Sequence, residues 1–366
     1  MKFSIQREAL LRPLTQVVGV VERRQTLPVL ANVLVVVDEG GVGFTGSDLE
    51  VEMFARCAAD STQSGEITLP ARKFFDIVRA LPDGSRIDVA QSGDRVTIKA
   101  GRSKFTLSTL PASEFPTVDD IDVVERVTLS EATLKELIDR TGFAMAHQDV
   151  RYYLNGLLFD LREGVLRCVA TDGHRLALCE TPIDLAVKAR KQIIIPRKGV
   201  LELQRLLDSG EGTIEIEFGK NHVRARRSDF VFTSKLIDGR FPDYEAVIPI
   251  GADKTVVLSR DELKAALGRA AILSNEKYRG VKLEVSLNKL YIVAHNPEQE
   301  EATEEVEADT VVEGLSVGFN VNYVMDALSA LRGLQVMLCL RDSNSSCLIR
   351  DAENDRSRHV IMPLRL

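Results

Sequence analysis

The stretch VTLSEATLKELIDRT (residues 127–141) combines a short apolar strand, a serine and an amphipathic helix pattern. Two further segments have the same design, FSIQREALLRPLTQV (residues 3–17) and VVLSRDELKAALGRA (residues 256–270). Their apolar positions coincide, and each segment predicts a strand followed directly by a helix. Repetition at this spacing predicts a chain built from similar structural units.

The residue before each predicted helix differs among the copies. Ser130 and Ser259 are favourable N-caps, because a serine side chain can accept a hydrogen bond from the free amides of the first turn. The first copy has Gln6 at this position, and Pro13 lies inside its helix. We therefore expect the first helix to start late or to kink at the proline.

Other landmarks keep the same spacing along the chain. Asp48, Asp172 and Asn296 lie 124 residues apart, and each closes an apolar run that is typical of a strand. Second helices are predicted near residues 69–81, 195–207 and 319–331, and alternating stretches between the landmarks predict strands joined by short links. The predicted fold class is α+β, with three similar domains in tandem that each pack two helices on antiparallel sheets. The predicted domains are residues 1–125, 126–253 and 254–366.

The first copy also contains GGVGFTGSD (residues 40–48), which matches the G-x-G-x-x-G fingerprint of a dinucleotide-binding turn. That site requires a helix directly after the glycines, because the helix N-terminus holds the pyrophosphate. Here DLEVEMFARC follows, which alternates like a strand, and the other copies lack the glycines. We interpret the stretch as a β-hairpin.

Composition points to a soluble cytosolic protein. The 366 residues have a net charge of −7, 45% hydrophobic and 5% aromatic residues, and no tryptophan, so valine, leucine and isoleucine should form the cores. The negative charge argues against a generally basic nucleic-acid binder. We expect no signal peptide or membrane span. The five cysteines show no C-x-x-C spacing and should be free thiols.

No catalytic motif, cofactor motif or pair of histidines with metal-ligand spacing is present in the sequence. Asp172 and His174 fit a turn with a capping aspartate better than a metal site. The acidic run PEQEEATEEVEAD (residues 297–309) has three interpretations. It could hold the metal of a nuclease, form a solvated strand, or meet a basic partner.

Basic residues suggest two surfaces. Those of the first copy, at positions 73, 95, 102 and 104, could face the acidic run of the third copy in another subunit. Others lie off the apolar stripes of the second helices in the first and second copies, and Arg23 and Arg24 follow the first helix. This shared arrangement fits either solvated helix faces or a shared basic surface that contacts phosphates.

Several strings make the whole chain resemble the bacterial DNA polymerase III beta subunit family, the sliding clamps. Among them are TLPVLANVL, GRSKFTLSTLPASEFP, AMAHQDVRYYLNG, ATDGHRLAL, FTSKLIDGRFPDY and VIMPLRL, all in the family's order. The resemblance implies a head-to-tail homodimer that forms a ring of six similar units around duplex DNA. It implies a non-enzymatic processivity factor without cofactor or metal. Alternatives are a metal-dependent nuclease and a repeat scaffold that binds proteins without encircling DNA.

The resemblance also implies partners in the cytoplasm, near the nucleoid. These are the DNA polymerase III alpha subunit, the clamp loader, other DNA polymerases, and mismatch repair and ligase proteins, which bind through short peptides. Their pocket should lie between the second and third domains. Ala246 stands where a form of the family has a basic residue, and Leu364 where one has methionine, which leaves the polar contacts at the rim of this pocket open.

The resemblance assigns residues to three sites. The DNA-binding candidates are Arg24, Arg72, Gln148, Tyr152, Tyr153, Lys198 and Arg279. The partner-peptide pocket comprises Leu154, Thr171, Gly173, His174, Arg175, Leu176, Pro242, Val247, Ser346, Val360, Met362, Pro363, Leu364 and Arg365. The dimer interface comprises Lys73, Arg95, Arg102, Lys104, Phe105, Leu107, Ile272, Leu273, Glu298, Glu300, Glu301 and Glu304.

Overall fold

The computed structural model describes residues 1–22, 27–118, 120–185, 189–207 and 212–365. The first repeat contains β1 (Lys2–Gln6), α1 (Arg7–Val18), β2 (Asn32–Asp38), β3 (Gly41–Ser47), β4 (Val51–Cys57), β5 (Asp60–Gln63), β6 (Gly65–Pro70), α2 (Ala71–Ala80), β7 (Arg86–Ser92), β8 (Arg95–Ala100) and β9 (Ser103–Ser108). The second contains β10 (Val123–Ser130), α3 (Glu131–Asp139), β11 (Gly156–Arg162), β12 (Val165–Thr171), β13 (Arg175–Pro182), β14 (Lys191–Pro196), α4 (Arg197–Leu206), β15 (Thr213–Gly219), β16 (His222–Arg227) and β17 (Phe230–Lys235). The third contains β18 (Lys254–Ser259), α5 (Arg260–Ala270), β19 (Gly280–Ser286), β20 (Lys289–His295), β21 (Glu301–Glu307), β22 (Leu315–Asn320), α6 (Val321–Ala330), β23 (Gln335–Leu340), β24 (Cys347–Asp351) and β25 (Ser357–Ile361).

The order of these elements confirms the repeat. The second and third copies share one order, namely a strand, a helix, four strands, a second helix and three strands. The first copy adds only the short strand β5. Each of these α-helices begins at the residue that follows a strand, as the sequence patterns predicted. Because β10 begins at Val123, the predicted boundary at residue 125 falls within a strand, and the exact boundaries of the predicted domains stay a prediction.

Contacts divide the chain into two compact units that do not coincide with the repeats. The first unit is Met1–Ala132 with Leu201–Leu236, and the second is Thr133–Val200 with Ile237–Leu366. The first unit contains a five-stranded sheet, β5-β1-β7-β8-β9, and an eight-stranded sheet, β10-β15-β16-β17-β4-β3-β2-β6. In the larger sheet β17 of the second repeat pairs with β4 of the first, Phe230 opposite Ala55.

The second unit has the corresponding pair of sheets. An eight-stranded sheet has the order β14-β11-β12-β13-β25-β24-β23-β18, and a four-stranded sheet has the order β21-β20-β19-β22. Strand β13 of the second repeat pairs with β25 of the third, Arg175 opposite Ile361. Each eight-stranded sheet therefore joins strands from two repeats, and every strand pair described is antiparallel.

Aliphatic side chains dominate the cores, as the composition predicted. The largest cluster in the second unit packs α5 and α6 against the sheets and contains a single phenylalanine, Phe319. In the first unit, Phe44 of β3 and Phe74 of α2 approach with ring centroids 6.5 Å apart. The five cysteines are free thiols.

Helix α1 departs from the prediction of a late start, because it begins at Arg7 directly after β1 and continues through Pro13. Gln6 provides no side-chain cap. The Arg7 guanidinium instead donates to the carbonyls of Val78 and Arg79 at 3.1 and 2.8 Å, and the Arg7 amide donates to Ser85 O at 2.9 Å. Tertiary contacts thus fix the first turn where no capping side chain is present.

The GGVGFTGSD stretch forms the predicted hairpin, with β2 and β3 paired and Gly41 opposite Asp38. Gly41 has a φ of 121°, which favours glycine. A Cβ at Gly46 would lie 2.7 Å from Val17 Cγ1 and 3.0 Å from Val17 O. The glycines therefore serve a turn and the close approach of α1, and the dinucleotide alternative is removed.

Candidate partner groove and interaction surfaces

All three landmark residues, Asp48, Asp172 and Asn296, cap the turns that follow their strands. Asp172 Oδ1 accepts hydrogen bonds from the amides of His174 and Arg175 at 2.9 and 3.1 Å. Asn296 Oδ1 accepts from the Glu300 amide at 2.9 Å. The interpretation of Asp172 as a capping aspartate is therefore confirmed.

Arg175 organises the surface beside the Asp172 turn. Its guanidinium forms ion pairs with Asp172 at 3.1 Å and with Asp326 of α6 at 2.5 Å. It also donates to Phe143 O at 2.9 Å and lies 4.6 Å from the ring centroid of Tyr323. The Arg175 side chain is 12% exposed. Its charge is therefore paired with carboxylates and stacked on Tyr323 rather than left in solvent, and we call the surface formed by these side chains the wall.

His174 and the C-terminal segment form the next part of this wall. The His174 ring stacks on Tyr323, with centroids 6.4 Å apart and an interplanar angle of 19°. The Met362 amide donates to His174 O at 2.9 Å, which holds the C-terminal segment beside the turn. Sequence reasoning missed Tyr323, because its place in the apolar pattern of α6 resembles that of an ordinary core residue.

An apolar cluster, which we call the floor cluster, lies at the predicted partner pocket and would form the floor of the candidate groove. Its buried members are Leu158, Val169, Leu176, Leu178, Ile194, Phe241, Tyr244 and Val360, and its half-buried members are Tyr153, Ile237, Val247, Ile248 and Leu348. The structure thereby brings together three predicted pocket residues, Leu176, Val247 and Val360. A partly exposed apolar surface of this kind suits the docking of a small hydrophobic segment.

Residues 238–248, which we call the strap, form one side of the candidate groove. Phe241 and Tyr244 are 5% and 1% exposed, while Val247 and Ile248 are half-buried on the same cluster. The strap therefore anchors two aromatic rings in the floor and leaves two smaller apolar side chains at the surface.

A buried carboxylate stabilises the position of the strap through hydrogen bonds. Asp160 of β11 is fully buried and accepts from the Tyr244 hydroxyl at 2.6 Å and from Arg190 at 2.6 and 2.8 Å. Arg162 bridges Asp160 to Glu245, at 3.0 and 2.8 Å. Burial opposes ionisation, but the hydrogen bonds from Arg190, Tyr244 and Arg162 outweigh it and lower the pKa of Asp160.

The remaining pocket candidates differ in exposure. Thr171 Oγ1 donates to Arg175 O at 2.6 Å and accepts from the Gly173 amide at 3.1 Å. Leu154 is buried, Ser346 is half-buried just before β24, and Pro242 is exposed on the strap, as is Ala246.

The last residues of the chain lie beside β22 of the four-stranded sheet. The Leu364 amide donates to Gly318 O of β22 at 2.7 Å. Leu364 and Arg365 line a separate cavity of about 570 Å³ in the third repeat. Met362 and Pro363 are half-buried between the floor cluster and that cavity.

Four DNA-side candidates of the second unit lie between its strands, two of them, Tyr152 and Tyr153, in a short 3-10 helix. Tyr152 is 57% exposed, whereas Tyr153 is half-buried on the floor cluster, and their rings meet edge to face at 5.7 Å. Gln148 and Arg279 adopt left-handed backbone conformations with φ of 56° and 49°. Tyr152 is therefore the tyrosine of the pair that presents its ring to solvent.

Three further DNA-side candidates are basic residues. Arg72 is exposed in the first turn of α2 and donates to Val21 O at 2.8 Å. Lys198 is half-buried in the first turn of α4. Arg24 lies outside the described residues.

Strand β9 is a sheet edge that carries three of the six first-repeat residues of the predicted dimer interface. Phe105 and Leu107 point half-buried side chains along one face, while Lys104 and the neighbouring Arg102 are exposed. Arg95 of the adjacent β8 is also exposed, and so is Lys73 on α2.

Strand β21 is the exposed edge of the four-stranded sheet and carries the acidic run. Glu298, Glu300 and Glu301 are exposed, while Glu304 forms an ion pair with Arg269 at 2.6 Å. Nearby, Ile272 is 77% exposed and Leu273 is half-buried. Unpaired edges of opposite charge therefore occur in the first and third repeats.

The described parts of the chain hold no group of three or more His, Cys, Asp or Glu side chains arranged to bind a metal ion. Within the same residues, no helix has the length and hydropathy needed to cross a membrane.

Known proteins with the same repeat fold are DNA clamps. Three family models match in succession, the N-terminal, central and C-terminal domains of the DNA polymerase III beta subunit, over residues 1–119, 128–243 and 245–365. The beta sliding clamp of Pseudomonas aeruginosa is 53% identical over 100% of both chains. The crystal structure of the DNA polymerase III subunit beta from that organism has a TM-score of 0.98, 53% identity and full coverage of both chains. Another structure of the Pseudomonas aeruginosa clamp, bound to griselimycin, also has a TM-score of 0.98, with 53% identity and full coverage of both chains.

The chain belongs to the DNA polymerase III beta subunit family, with its three domains in tandem. It is a DNA sliding clamp, a non-catalytic processivity subunit of the polymerase. The nuclease alternative is removed by this identification.

Proposed function

We propose that two copies of this chain close head to tail into a ring around duplex DNA and tether the replicative polymerase to it in the cytoplasm. The observation that carries this proposal is the repeated order of elements in a chain that belongs to the sliding clamp family. Three similar domains in each of two subunits supply the six units of a ring. Because enclosure holds the DNA, the net charge of −7 is no obstacle, and only local cations need to contact phosphates.

The DNA contacts proposed for this ring are few and weak. Arg72, Lys198 and Arg279 would contact phosphates, and Tyr152, which is 57% exposed, would pack against the sugar-phosphate backbone or an unpaired base. Contacts of this kind carry no sequence information and permit sliding.

We propose that edge strand β9 of one subunit meets edge strand β21 of its partner. The basic residues beside β9 complement the glutamates of the acidic run, and both edges have unpaired backbone groups. The exposed side chain of Ile272 and the half-buried side chain of Leu273 supply the apolar contact for Phe105 and Leu107. Because the same contact occurs twice, two subunits close the ring.

Alanine at both Ile272 and Leu273 tests this interface. Both side chains are accessible in the single chain, so the variant should fold and should sediment as a monomer at concentrations where the wild type is a dimer. The matched control is Leu334→Ala, because Leu334 is 81% exposed but belongs to no proposed site. A double variant that still sediments as a dimer would exclude the assignment.

We propose that the groove over the floor cluster binds the short peptides of the polymerase alpha subunit, the clamp loader and other replication and repair proteins. The support is its apolar floor, the adaptable thioether of Met362 at its edge, and the paired wall of His174 and Arg175. Since the Pseudomonas aeruginosa clamp binds griselimycin, we propose that this chain binds it too.

Deletion of residues 362–366 tests the groove. The deletion removes the hydrogen bond between Met362 and His174, so binding of the alpha-subunit peptide and of griselimycin should be lost while the dimer persists. The Ile272→Ala, Leu273→Ala variant is the reciprocal control, because it should be monomeric and still bind peptide. Undiminished peptide affinity after the deletion would contradict the assignment.

A further inference from the structure

The cavity lined by Leu364 and Arg365, which we call the C-terminal cavity, lies on the solvent face of the four-stranded sheet. In β19 and β20, Leu283, Ile292 and their alternate neighbours face the core, while Lys282, Val293 and His295 face outward. The loop containing Asn275 and Tyr278 and the C-terminal segment form the cavity's sides. A volume of about 570 Å³ is large enough for several peptide side chains.

The lining of this cavity is apolar and cationic. Val293, Leu364 and the ring of Tyr278 supply the apolar surface, and none of the lining residues that the structure describes carries a carboxylate. Lys282 pairs with Glu284 at 2.7 Å, and His295 lies 3.9 Å from Glu301. Arg365 is exposed and forms no ion pair with any residue in the part of the chain that the structure describes. In a chain with a net charge of −7, this cavity therefore favours an apolar ligand with a carboxylate.

The C-terminal segment connects this cavity to the proposed groove. Val360 is fully buried in the groove floor, and Leu364 is fastened to Gly318 beside the cavity. An extended chain spans about 3.3 Å per residue, so a bound peptide would need roughly four or five additional residues to follow the segment from floor to cavity. The two surfaces are therefore within reach of one continuous ligand.

We propose that the C-terminal cavity is a second docking site, which takes an apolar residue and an adjacent carboxylate from the segment that flanks a partner's clamp-binding peptide. This proposal rests on the function proposed for the groove. Because the flanking segment binds to the same molecule, its contribution would appear as slower dissociation of the longer ligand. Partners with and without such a segment would differ in affinity although their core peptides are the same.

Fluorescence anisotropy with three kinds of labelled peptide tests the cavity on the full-length dimer. The first is the core alpha-subunit peptide, and the second adds a Gly-Ser spacer with Leu-Asp, placed at either end in separate syntheses. The third adds the same spacer with Leu-Lys. Burial of one leucine and one ion pair should make the better Leu-Asp peptide bind about 10-fold tighter than the core, and the Leu-Lys peptide should gain little.

Tyr278→Ala should remove this gain and leave the affinity for the core peptide unchanged. The matched control is Tyr291→Ala, because Tyr291 lies on the same strand as Val293 but outside the cavity lining, and it should preserve the gain. Equal affinity of all three peptides for the wild type, or a gain that persists in Tyr278→Ala, would overturn the cavity proposal alone. A core peptide that fails to bind would overturn the groove, and the cavity proposal with it.

Discussion

The turns after β3 and β12 occupy the same place in two repeats but differ in what they carry. In both, an aspartate accepts hydrogen bonds from the amides two and three residues later, at 2.9 and 2.7 Å for Asp48 and at 2.9 and 3.1 Å for Asp172. In both, the next residue has a left-handed backbone, with φ of 77° at Leu49 and 89° at Gly173. The backbone of the turn is therefore retained between the copies.

The side chains of these turns are different. Glu50 and Val51, which follow in the first turn, contribute only backbone groups to its hydrogen bonds. After Asp172, Arg175 joins the turn to α6 through Asp326 and Tyr323. The repeat therefore provides a turn at a fixed place, while the side chains on that turn, and the helix they contact, differ between the copies.

Arg175→Ala should have the largest effect on the difference between the two turns. It removes two ion pairs and the contact with Tyr323, and it leaves Asp326 without its partner. We expect the affinity for the alpha-subunit peptide to fall by about 100-fold, since breaking a partly buried ion pair costs several kcal/mol. Isothermal titration calorimetry measures this loss.

The control for Arg175→Ala lies in the other turn. Glu50→Ala changes an exposed residue of the Asp48 turn and should leave peptide affinity within about twofold of wild type, because surface substitutions rarely act at a distance. An equal loss in both variants would mean that peptide binding does not depend on the Asp172 turn.

Exchanging the two residues with left-handed backbone, Gly173 and Leu49, should change peptide affinity less than Arg175→Ala does. In Gly173→Leu, the new Cβ would lie 2.9 Å from Arg151 Nη1, so Arg151 must move, and the left-handed backbone costs a leucine about 1–2 kcal/mol. Peptide affinity should fall by about 10-fold through displacement of the Gly173 turn. Leu49→Gly should leave peptide affinity unchanged and should alter the free energy of unfolding by no more than about 1 kcal/mol. Glycine relieves the strain of the left-handed backbone, but it also raises the conformational entropy of the unfolded chain. Thermal denaturation and peptide titration of both variants measure these effects, and a weaker effect at Gly173 than at Leu49 would contradict the comparison.

His359, which is buried beneath the Asp172 turn, should make the free energy of unfolding depend on pH. This effect should be smaller than those of the substitutions above. Burial, with Arg140 and Arg175 nearby, lowers the pKa of His359 to about 3. Between pH 6.5 and 3 the unfolded chain therefore binds a proton that the folded chain does not, and stability falls as pH falls. The contribution of this one group is at most about 1.4 kcal/mol per pH unit.

His359→Gln tests this contribution, because glutamine keeps a polar group beside Ser357, which lies 3.1 Å from His359 Nε2 in the wild type. Urea denaturation at pH 7 and pH 5 should show a smaller loss of stability in the variant than in the wild type, whatever its stability at pH 7. Equal losses in the two proteins would exclude His359 as the titrating group.

Much of this fold could be predicted from local patterns. The strand-serine-helix repeat predicted the helices after β10 and β18, and Ser259 indeed accepts from the Glu262 amide at 3.3 Å. Because a strand and not a helix follows GGVGFTGSD, the sequence favours a β-hairpin over a dinucleotide-binding site. The capping role of Asp172 followed from its place at the end of an apolar run.

What could not be predicted depends on residues far apart in sequence. The two eight-stranded sheets join repeats edge to edge, and such pairing has no local signature in β4, β13, β17 or β25. The start of α1 depends on Arg7 reaching carbonyls more than 70 residues away. The support of the strap likewise depends on Asp160 and Tyr244, which are 84 residues apart.

The predicted site residues divide in the same way. The resemblance to the family predicts Leu176 and Val360 as pocket residues, and both belong to the apolar floor cluster. The placement of Leu364 and Arg365 beside a separate cavity required the course of the last residues in three dimensions. Tyr323 became recognisable only when its ring was seen against His174 and Arg175.

The most direct measurement of the central claim is topological. The protein would be loaded onto nicked circular DNA with a bacterial clamp loader, the complex isolated, and the DNA then cut once. A ring that encircles DNA should slide off the ends, so protein should leave the linear DNA while it stays on uncut circles. Protein that remains on the linear DNA would contradict encirclement, and protein that never loads would favour a scaffold that binds proteins without DNA.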